Sequence, residues 1–253
     1  MLTNWNFIDT GARTGEFNMH FDIELAEKLQ RGEILPTLRV YGWKPWSVSL
    51  GYNQNEDDID KNNCSKFGFD IVRRPTGGRA ILHANELTYS VVMFAEEKGI
   101  TEVYSVISKA LVSGLKKICV DISYETSQPN FHQLYGKQES IPCFSSSARY
   151  EVQIEGKKLV GSAQRRFSSP GFPEVVLQHG SILLGPEHKL LVEVLNINEE
   201  VREKILADIE QKTIDLSTAA GRMVATDEVA AVIKTGFQEI FNISFTTPTK
   251  AAA

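Results

Sequence analysis

Apolar residues recur every third or fourth position in several parts of the chain, which predicts amphipathic helices. One such pattern ends at Gly32, a residue that commonly follows a helix. Another follows Thr101, which we expect to be the N-cap of its helix. The predicted helices cover residues 15–31, 58–67, 101–115 and 227–241.

Shorter apolar runs with alternating or β-branched residues predict strands between these helices. Glu155-Gly156 separates two of them and predicts a hairpin. The predicted strands cover residues 38–40, 48–50, 70–74, 80–82, 87–94, 150–154, 159–165 and 175–184. Strands in the middle of the chain, with helices between them and at both ends, indicate an α+β fold: a mixed β-sheet with helices packed on one face.

Composition narrows the class of protein. The 253 residues suit a single domain, 1–253, without an evident linker or repeat. Lys plus Arg number 27 against 32 Asp plus Glu, a net charge of −5 that argues against general nucleic-acid binding. No apolar run has the length of a membrane helix, and residues 1–15 lack the pattern of a signal peptide. We therefore expect a cytoplasmic enzyme that binds neither nucleic acid nor membrane.

Several common catalytic motifs are missing. The sequence contains no HExxH, GxSxG or GxGxxG. Two glycine pairs have the spacing of a phosphate-binding loop, but Ser162 and Pro186 stand where that loop needs lysine. The three cysteines, Cys64, Cys119 and Cys143, have no CxxC spacing, which argues against a disulfide framework or a cysteine zinc site. We predict no metal site.

Residues 73–83, RRPTGGRAILH, form the first candidate segment. Adjacent glycines between strands allow a tight turn in which backbone N–H groups approach a ligand. Arginines around the turn are suited to bind a phosphate or a carboxylate. The alternative is a structural glycine turn with solvated arginines. The candidate substrate-binding residues of this segment are Arg73, Arg74, Thr76, Gly77, Gly78, Arg79 and His83.

Residues 156–166, GKKLVGSAQRR, form the second segment. Small residues at Gly161, Ser162 and Ala163 are typical of a strand that a ligand approaches closely. Lys158 alternates with Val160, so we expect both side chains on one face, which is the interior face if the strand is buried. A buried lysine requires a partner, because burial disfavours its charge. The alternative is a surface hairpin with two solvated lysines.

Cys143 lies in a polar loop ahead of this hairpin, among serines. Free cysteines are usually small buried hydrophobes, which suits Cys64 and Cys119. A thiol near Lys158 would instead have a pKa below the usual value of about 8.5 and act as a nucleophile. Both interpretations of Cys143 stay open on the residues alone.

Taken together, these segments resemble the superfamily of lipoate–protein ligases, biotin ligases and octanoyltransferases. Residues 73–83 are similar to its signature, Lys158 to Ala163 to its lysine strand, and Gln178-His179-Gly180 to the strand that follows. The helix with Asn18 to Asp22 resembles its opening helix. The resemblance implies the fold of that catalytic domain, with a core over about 17–220 and a helical part over about 187–253. It adds Gln164, His179 and Gly180 to the candidate substrate-binding residues, with Gly161, Ser162 and Ala163.

The cysteine indicates the branch of the superfamily. Octanoyltransferases take an acyl group already activated as a thioester, and one branch passes it through a cysteine in a loop ahead of the lysine strand. Cys143-Phe144 and Tyr150-Glu151 match that context, as does Arg79 beside the glycine pair. Ala84 departs from the pattern, because the superfamily commonly has aspartate after the histidine.

This resemblance implies transfer of octanoate from octanoyl-acyl carrier protein to a lysine of a lipoyl domain, such as the glycine-cleavage H protein. Cys143 would be the acyl carrier and Lys158 its catalytic partner, with no cofactor. An arginine rim (Arg73, Arg74, Arg79, Arg165 and Arg166) would attract the acidic partner proteins. The alternatives are a lipoate–protein ligase that uses ATP and magnesium, an amidotransferase acting between lipoyl domains, and a catalytically silent binding module.

Overall fold

The computed structural model describes residues 4–119, 121–124 and 151–246. The strands of this part are Asn4–Arg13 (β1), Thr37–Trp43 (β2), Ser47–Leu50 (β3), Asp70–Arg73 (β4), Ile81–His83 (β5), Glu86–Phe94 (β6), Ile122–Tyr124 (β7), Val152–Ile154 (β8), Lys157–Phe167 (β9), Val175–Leu183 (β10) and Ser244–Thr246 (β11). Its α-helices are Gly15–Gln30 (α1), Lys61–Phe67 (α2), Ile100–Leu115 (α3), Glu199–Lys212 (α4), Leu216–Ala220 (α5) and Thr226–Phe241 (α6). None of these helices is long and apolar enough to cross a membrane.

The strands form two mixed sheets. The larger has the order β11-β1-β2-β6-β10-β9-β8-β7 and is antiparallel from β2 onward, whereas β1 runs parallel to both of its neighbours. The smaller has the order β4-β3-β5, with β3 parallel to β4 and antiparallel to β5. The predicted α+β class with a mixed sheet is therefore confirmed.

Helices cover both faces of the larger sheet, so the prediction of a single covered face was wrong. On β6, Val91 and Met93 belong to the main core that α3 and α6 complete. Val92 points to the opposite face and packs against Leu25 and Leu29 of α1. Successive residues of β6 therefore pack into cores on opposite faces of the sheet. Burial on both faces is typical of a strand that is apolar along nearly its whole length.

The smaller sheet has its own core. Val48, Leu50 and Leu82 pack with a 3₁₀ segment, Pro186–Val194, and with Ile205 and Ile209 of α4. The C-terminal part of the chain therefore covers the smaller sheet through α4, while α6 packs on the larger sheet.

Sequence patterns missed the edge strands. In β1, Trp5 is buried but most other positions are half-buried or exposed, so the strand lacks a clear alternation. β11 and β7 have three residues each, which is too short for a periodic signal. The N-cap of α3 is Gly99 and not Thr101: the Gly99 N–H donates to the Glu102 carboxylate at 2.8 Å, so the helix begins one residue before Thr101.

Candidate active site

A cleft lies between α1, the larger sheet and the smaller sheet, with about 420 Å³ of space when the part open to solvent is included. The side chains or backbone that line it belong to Met19, Tyr41, Trp43, Ser49, Arg74, Gly78, Ile81, His83, Thr88, Gly161, Ser162, Ala163, His179, Gly180 and Ser181. The first and second candidate segments, both of which contain predicted substrate-binding residues, thus meet at one cleft.

Arg74 stabilises the glycine turn, which is the turn at Gly77-Gly78. Its guanidinium is buried and donates to the carbonyls of Ser49 at 2.8 Å, Gly77 at 3.0 Å and Arg79 at 2.6 Å. Gly78 has a φ of +98°, which favours glycine. Arg74 therefore shapes the turn and lines the cleft, and because it is buried it does not belong to the predicted arginine rim for acidic partner proteins.

Thr76 and His179 are 103 positions apart in the chain but form one contact. Thr76 Oγ1 lies 2.7 Å from His179 Nε2, and His179 Nδ1 lies 3.1 Å from Asp22 Oδ2. Asp22, on α1, also accepts from the Arg39 guanidinium at 2.7 Å and from the Tyr41 hydroxyl at 2.9 Å. A buried network therefore ties the glycine turn to α1 across β10.

Asp22 remains ionised within this network. Burial alone would raise its pKa, but the hydrogen bond from His179 and the charge of Arg39 outweigh burial and hold the pKa below its usual value. Since an ionised carboxylate only accepts hydrogen bonds, His179 Nδ1 carries a proton and donates it.

His83 lies at the opposite wall of the cleft. Its ring stacks on Trp43 with 3.9 Å between centroids, and its nitrogens contact Ser49 Oγ at 2.8 Å and Glu86 Oε1 at 3.3 Å. Burial lowers the pKa of His83, which keeps the ring neutral near pH 7. The neighbouring Ala84 belongs to the apolar core of the smaller sheet, so a small apolar residue suits that position.

The small residues of β9 and β10 divide between two faces. Gly161 pairs with Ser181 and Ala163 with His179 on the cleft face. Ser162 lies on the α3 face, where its hydroxyl contacts the Tyr89 hydroxyl at 2.7 Å and its carbonyl accepts from Tyr104 at 2.9 Å. The side chain of Gln164 accompanies it there, bonded to Gln178 at 3.1 Å.

Gly180 leaves no room for a side chain. A Cβ on it would lie 2.6 Å from both Gly161 O and Ser162 Oγ and 2.7 Å from the Tyr89 ring. Gly180→Ala is therefore expected to lose about 1–3 kcal/mol of unfolding free energy through overpacking. Thermal unfolding measures this loss, with Gly42→Ala as the control, because a Cβ there meets Ala12 at an ordinary 3.5 Å. Equal stability of the two variants would contradict the prediction.

Lys158 is buried, which excludes the solvated-hairpin alternative, but it lies on the other face from Val160. A register shift between β8 and β9 pairs Val152 with Val160 and Gln153 with Lys158, so β9 has one extra residue there. Cross-strand partners share a face, and Val152 and Val160 point into the main core. Lys158 therefore lies with Gln153 on the opposite face, which further along β9 carries Gly161 and Ala163. Such bulges commonly redirect side chains beside active sites.

Lys158 forms an ion pair with Glu151. The Glu151 carboxylate oxygen lies 2.6 Å from Lys158 Nζ, and the two side chains are 6% and 3% exposed. Buried charges in proteins are paired, and this pair fulfils the requirement that the sequence raised for Lys158.

The other predicted rim arginines have different surroundings. Arg73 donates to the carbonyls of Gly51 and Gln54 and pairs with Glu56. Arg165 donates to the Pro75 carbonyl at 3.1 Å and lies over the ring of Tyr52. Arg166 is bound to Glu174 and to the Lys98 carbonyl.

Arg79 is half-buried and supplies the carbonyl that Arg74 binds. Together with Arg73 and Arg165, it leaves positive charge beside the glycine turn.

Cys143 lies outside the described residues, so its predicted role stays a prediction. Cys64 is buried in the core of the smaller sheet, where burial raises its thiol pKa to about 11. A thiol with that pKa is almost fully protonated at neutral pH and is a poor nucleophile.

Several residues of the site were not among the sequence candidates. They are polar or aromatic positions of the strands, of α1 and, for Glu151, of the residue directly before β8, and single motifs do not reveal them: Asp22, Arg39, Tyr41, Trp43, Ser49, Glu86, Thr88, Glu151 and Ser181. For Glu151 a signal existed, because a hairpin that turns at Glu155-Gly156 pairs Gln153 with Lys158 and puts Glu151 two residues away on the same face, within reach of a long side chain of opposite charge.

Comparison with known proteins agrees with the resemblance that the motifs indicated. Residues 14–238 match the family described as Lipoyl protein ligase A/B catalytic domain. An octanoyltransferase LipM of Kyrpidia tusciae is 40% identical, over 94% of this chain and 87% of that protein. The octanoyltransferase LipM of Bacillus subtilis is 36% identical, over 94% of this chain and 87% of that protein.

Among solved structures, a bi-partite lipoate protein ligase from Thermoplasma acidophilum has the same fold, with a TM-score of 0.75 and 23% identity over 99% of this chain and 89% of that one. The family match covers most of the chain, and the relatives share more than a third of its residues. This protein belongs to the lipoyl protein ligase A/B catalytic domain family.

Proposed function

We propose that this protein transfers an octanoyl group from octanoyl-acyl carrier protein to a lysine of a lipoyl domain, such as the glycine-cleavage H protein, through a thioester on Cys143. The relatives that match nearly the whole chain are octanoyltransferases, so the protein is an acyltransferase of lipoate biosynthesis. The structural observation that best supports acyl transfer at this cleft is Lys158, a buried lysine that the β9 bulge turns toward the cleft face.

The reaction proceeds in two balanced steps. The Cys143 thiolate attacks the thioester carbonyl, the bond to the phosphopantetheine sulfur breaks, and that sulfur leaves as a thiolate and takes up a proton. The lysine amine of the lipoyl domain then attacks the Cys143 thioester and loses a proton, which restores the cysteine. An amide replaces a thioester, so the transfer is downhill and does not need ATP.

The cleft suits the acyl chain. Met19, Trp43 and Ile81 contribute apolar surface to its walls. Burying seven alkyl carbons at about 0.8 kcal/mol each would contribute up to roughly 5 kcal/mol to binding. The N–H groups of the glycine turn and the Lys158 ammonium are the donors suited to the carbonyl end, where negative charge develops.

The charges around the turn suit acidic partners. Arg73, Arg79 and Arg165 carry positive charge beside the turn, although the chain as a whole has a net charge of −5. Such local complementarity raises the rate of association with acidic carrier and lipoyl domains.

Intact-protein mass spectrometry tests the proposal. Mixing the protein with octanoyl-acyl carrier protein in the absence of ATP is expected to give one octanoyl adduct, mapped to Cys143, that a lipoyl domain discharges. Modification of the lipoyl domain only when ATP and free octanoate or lipoate are supplied would instead identify a ligase. Transfer from an octanoylated lipoyl domain but not from the carrier protein would identify an amidotransferase.

A further inference from the structure

We propose that Glu151 is a positioning residue for the acyl-transfer reaction: it aims the Lys158 side chain and keeps it as an ammonium ion. This inference rests on the proposed function, in which Lys158 assists the attack on the thioester. Glu151 acts through Lys158 and needs no contact with the substrate.

Burial distinguishes the ion pair of Lys158 and Glu151 from the other lysine–carboxylate pairs that the structure describes. In the other lysine–carboxylate pairs of the described chain, the lysine is at least 31% exposed. Pairs of that kind contribute little, because water screens them and both side chains lose freedom. Lys158 is 3% exposed and Glu151 6% exposed, with 2.6 Å between Nζ and the carboxylate oxygen. Their interaction is therefore far stronger than that of a surface pair.

The backbone around Lys158 is held separately. The Lys158 carbonyl accepts a hydrogen bond from the Ile214 N–H at 3.1 Å, next to Thr213, which His188 contacts at 2.8 Å. The bulge in β9 sets which face the side chain leaves from. Glu151, directly before β8, then fixes the direction of the long and flexible side chain on that face.

The carboxylate also stabilises the charged form of Lys158. Burial disfavours an ammonium ion, and an opposite charge at hydrogen-bond distance favours it. A neutral amine would neither stabilise the thiolate of a nearby cysteine nor offset the negative charge that develops on the thioester oxygen. Glu151 is thus expected to matter for the rate of acylation rather than for binding of the acyl donor.

Single-turnover acylation by octanoyl-acyl carrier protein is the measurement, with KM for the donor determined in parallel. Glu151→Gln keeps the size and the acceptor oxygen but removes the charge, and we expect acylation to be roughly 10- to 100-fold slower with KM changed less than about 3-fold. Glu151→Asp keeps the charge and is expected to recover part of the rate. Glu155→Gln, which removes an exposed carboxylate from the same hairpin, is the matched control and should stay within about twofold of the wild type.

A double-mutant cycle separates positioning from a general structural role. If Glu151 acts through Lys158, adding Glu151→Gln to Lys158→Ala should slow acylation by less than about twofold beyond Lys158→Ala alone. Independent effects that multiply would overturn the inference, as would acylation by Glu151→Gln at the wild-type rate or faster, or a loss confined to KM.

If Glu151→Gln does not fold, Glu151→Asp carries the test, and acylation by that variant at the wild-type rate would overturn the inference. Absence of an adduct on the wild-type protein would instead contradict the proposed function, so the two failures are distinguishable.

Discussion

Cys143→Ser is expected to abolish acyl transfer, lowering its rate by at least roughly 10³-fold, because the variant lacks the nucleophile that carries the octanoyl group. A serine hydroxyl is far less acidic than a thiol, so Lys158 cannot generate a comparable anion from it. The measurement is the steady-state rate of octanoylation of a lipoyl domain, together with the mass of the enzyme after mixing with the acyl donor. Thermal unfolding of the variant establishes that it is folded.

Cys64→Ala provides the control for this prediction. Cys64 is buried in the core of the smaller sheet and has a thiol pKa of about 11, so it is expected to carry no acyl group. We expect Cys64→Ala to retain the acyl adduct and to lose only stability. An adduct that persists in Cys143→Ser and disappears in Cys64→Ala would reverse the assignment.

Sequence patterns predicted most of the fold and two of the segments that line the cleft. The helices over Gly15–Gln30 and Thr226–Phe241 carry apolar residues at helical spacing, and the central strands are apolar runs, so local periodicity identifies them. The glycine turn and the small residues of β9 are also local signals, and the structure brings both to the same cleft.

What the sequence could not provide depends on contacts between distant positions. The network of Asp22, Arg39, His179 and Thr76 joins an α-helix, two strands and a turn, and no spacing rule connects them. Strict alternation along the strand predicts Lys158 on the same face as Val160. The bulge adds one residue to β9 and turns Lys158 to the other face. A bulge of this kind has no clear sequence signal, and one extra residue inverts the face assignment of everything on one side of it.

The edge strands show the same limit. β1 pairs with β11 from the opposite end of the described chain, and Trp5 alone supplies a fully buried apolar side chain in β1. The formation of β1 therefore depends on its pairing with distant parts of the chain more than on the local strand preference of its residues, as is usual for strands.

Asp22→Asn is expected to destabilise the fold by about 3–5 kcal/mol, because it leaves the Arg39 guanidinium buried without its counter-charge. Both side chains are fully buried and 2.7 Å apart. For a domain of this size that loss corresponds to a decrease of roughly 6–20 °C in Tm. The same substitution weakens the anchor of His179, and through Thr76 it loosens the glycine turn, so acyl transfer should fall even at temperatures where the variant is folded.

The difference in the free energy of unfolding between the wild type and Asp22→Asn should depend on pH, and this dependence provides a sharper test. The pKa of Asp22 is lowered in the folded protein from its usual value of 3.8, so its carboxylate contributes stability that is fully present above that value. The contribution is lost as the pH falls through the lower, folded pKa, because the folded protein must then take up a proton on Asp22. We therefore expect urea unfolding to give a constant difference in the free energy of unfolding between the wild type and Asp22→Asn from about pH 5 to pH 8. Below about pH 4 this difference should become smaller. Asp70→Asn, which changes an exposed carboxylate on β4, should match the wild type throughout. A difference between the wild type and Asp22→Asn that stays the same down to pH 2 would show that the loss comes from altered packing and not from the charge of Asp22.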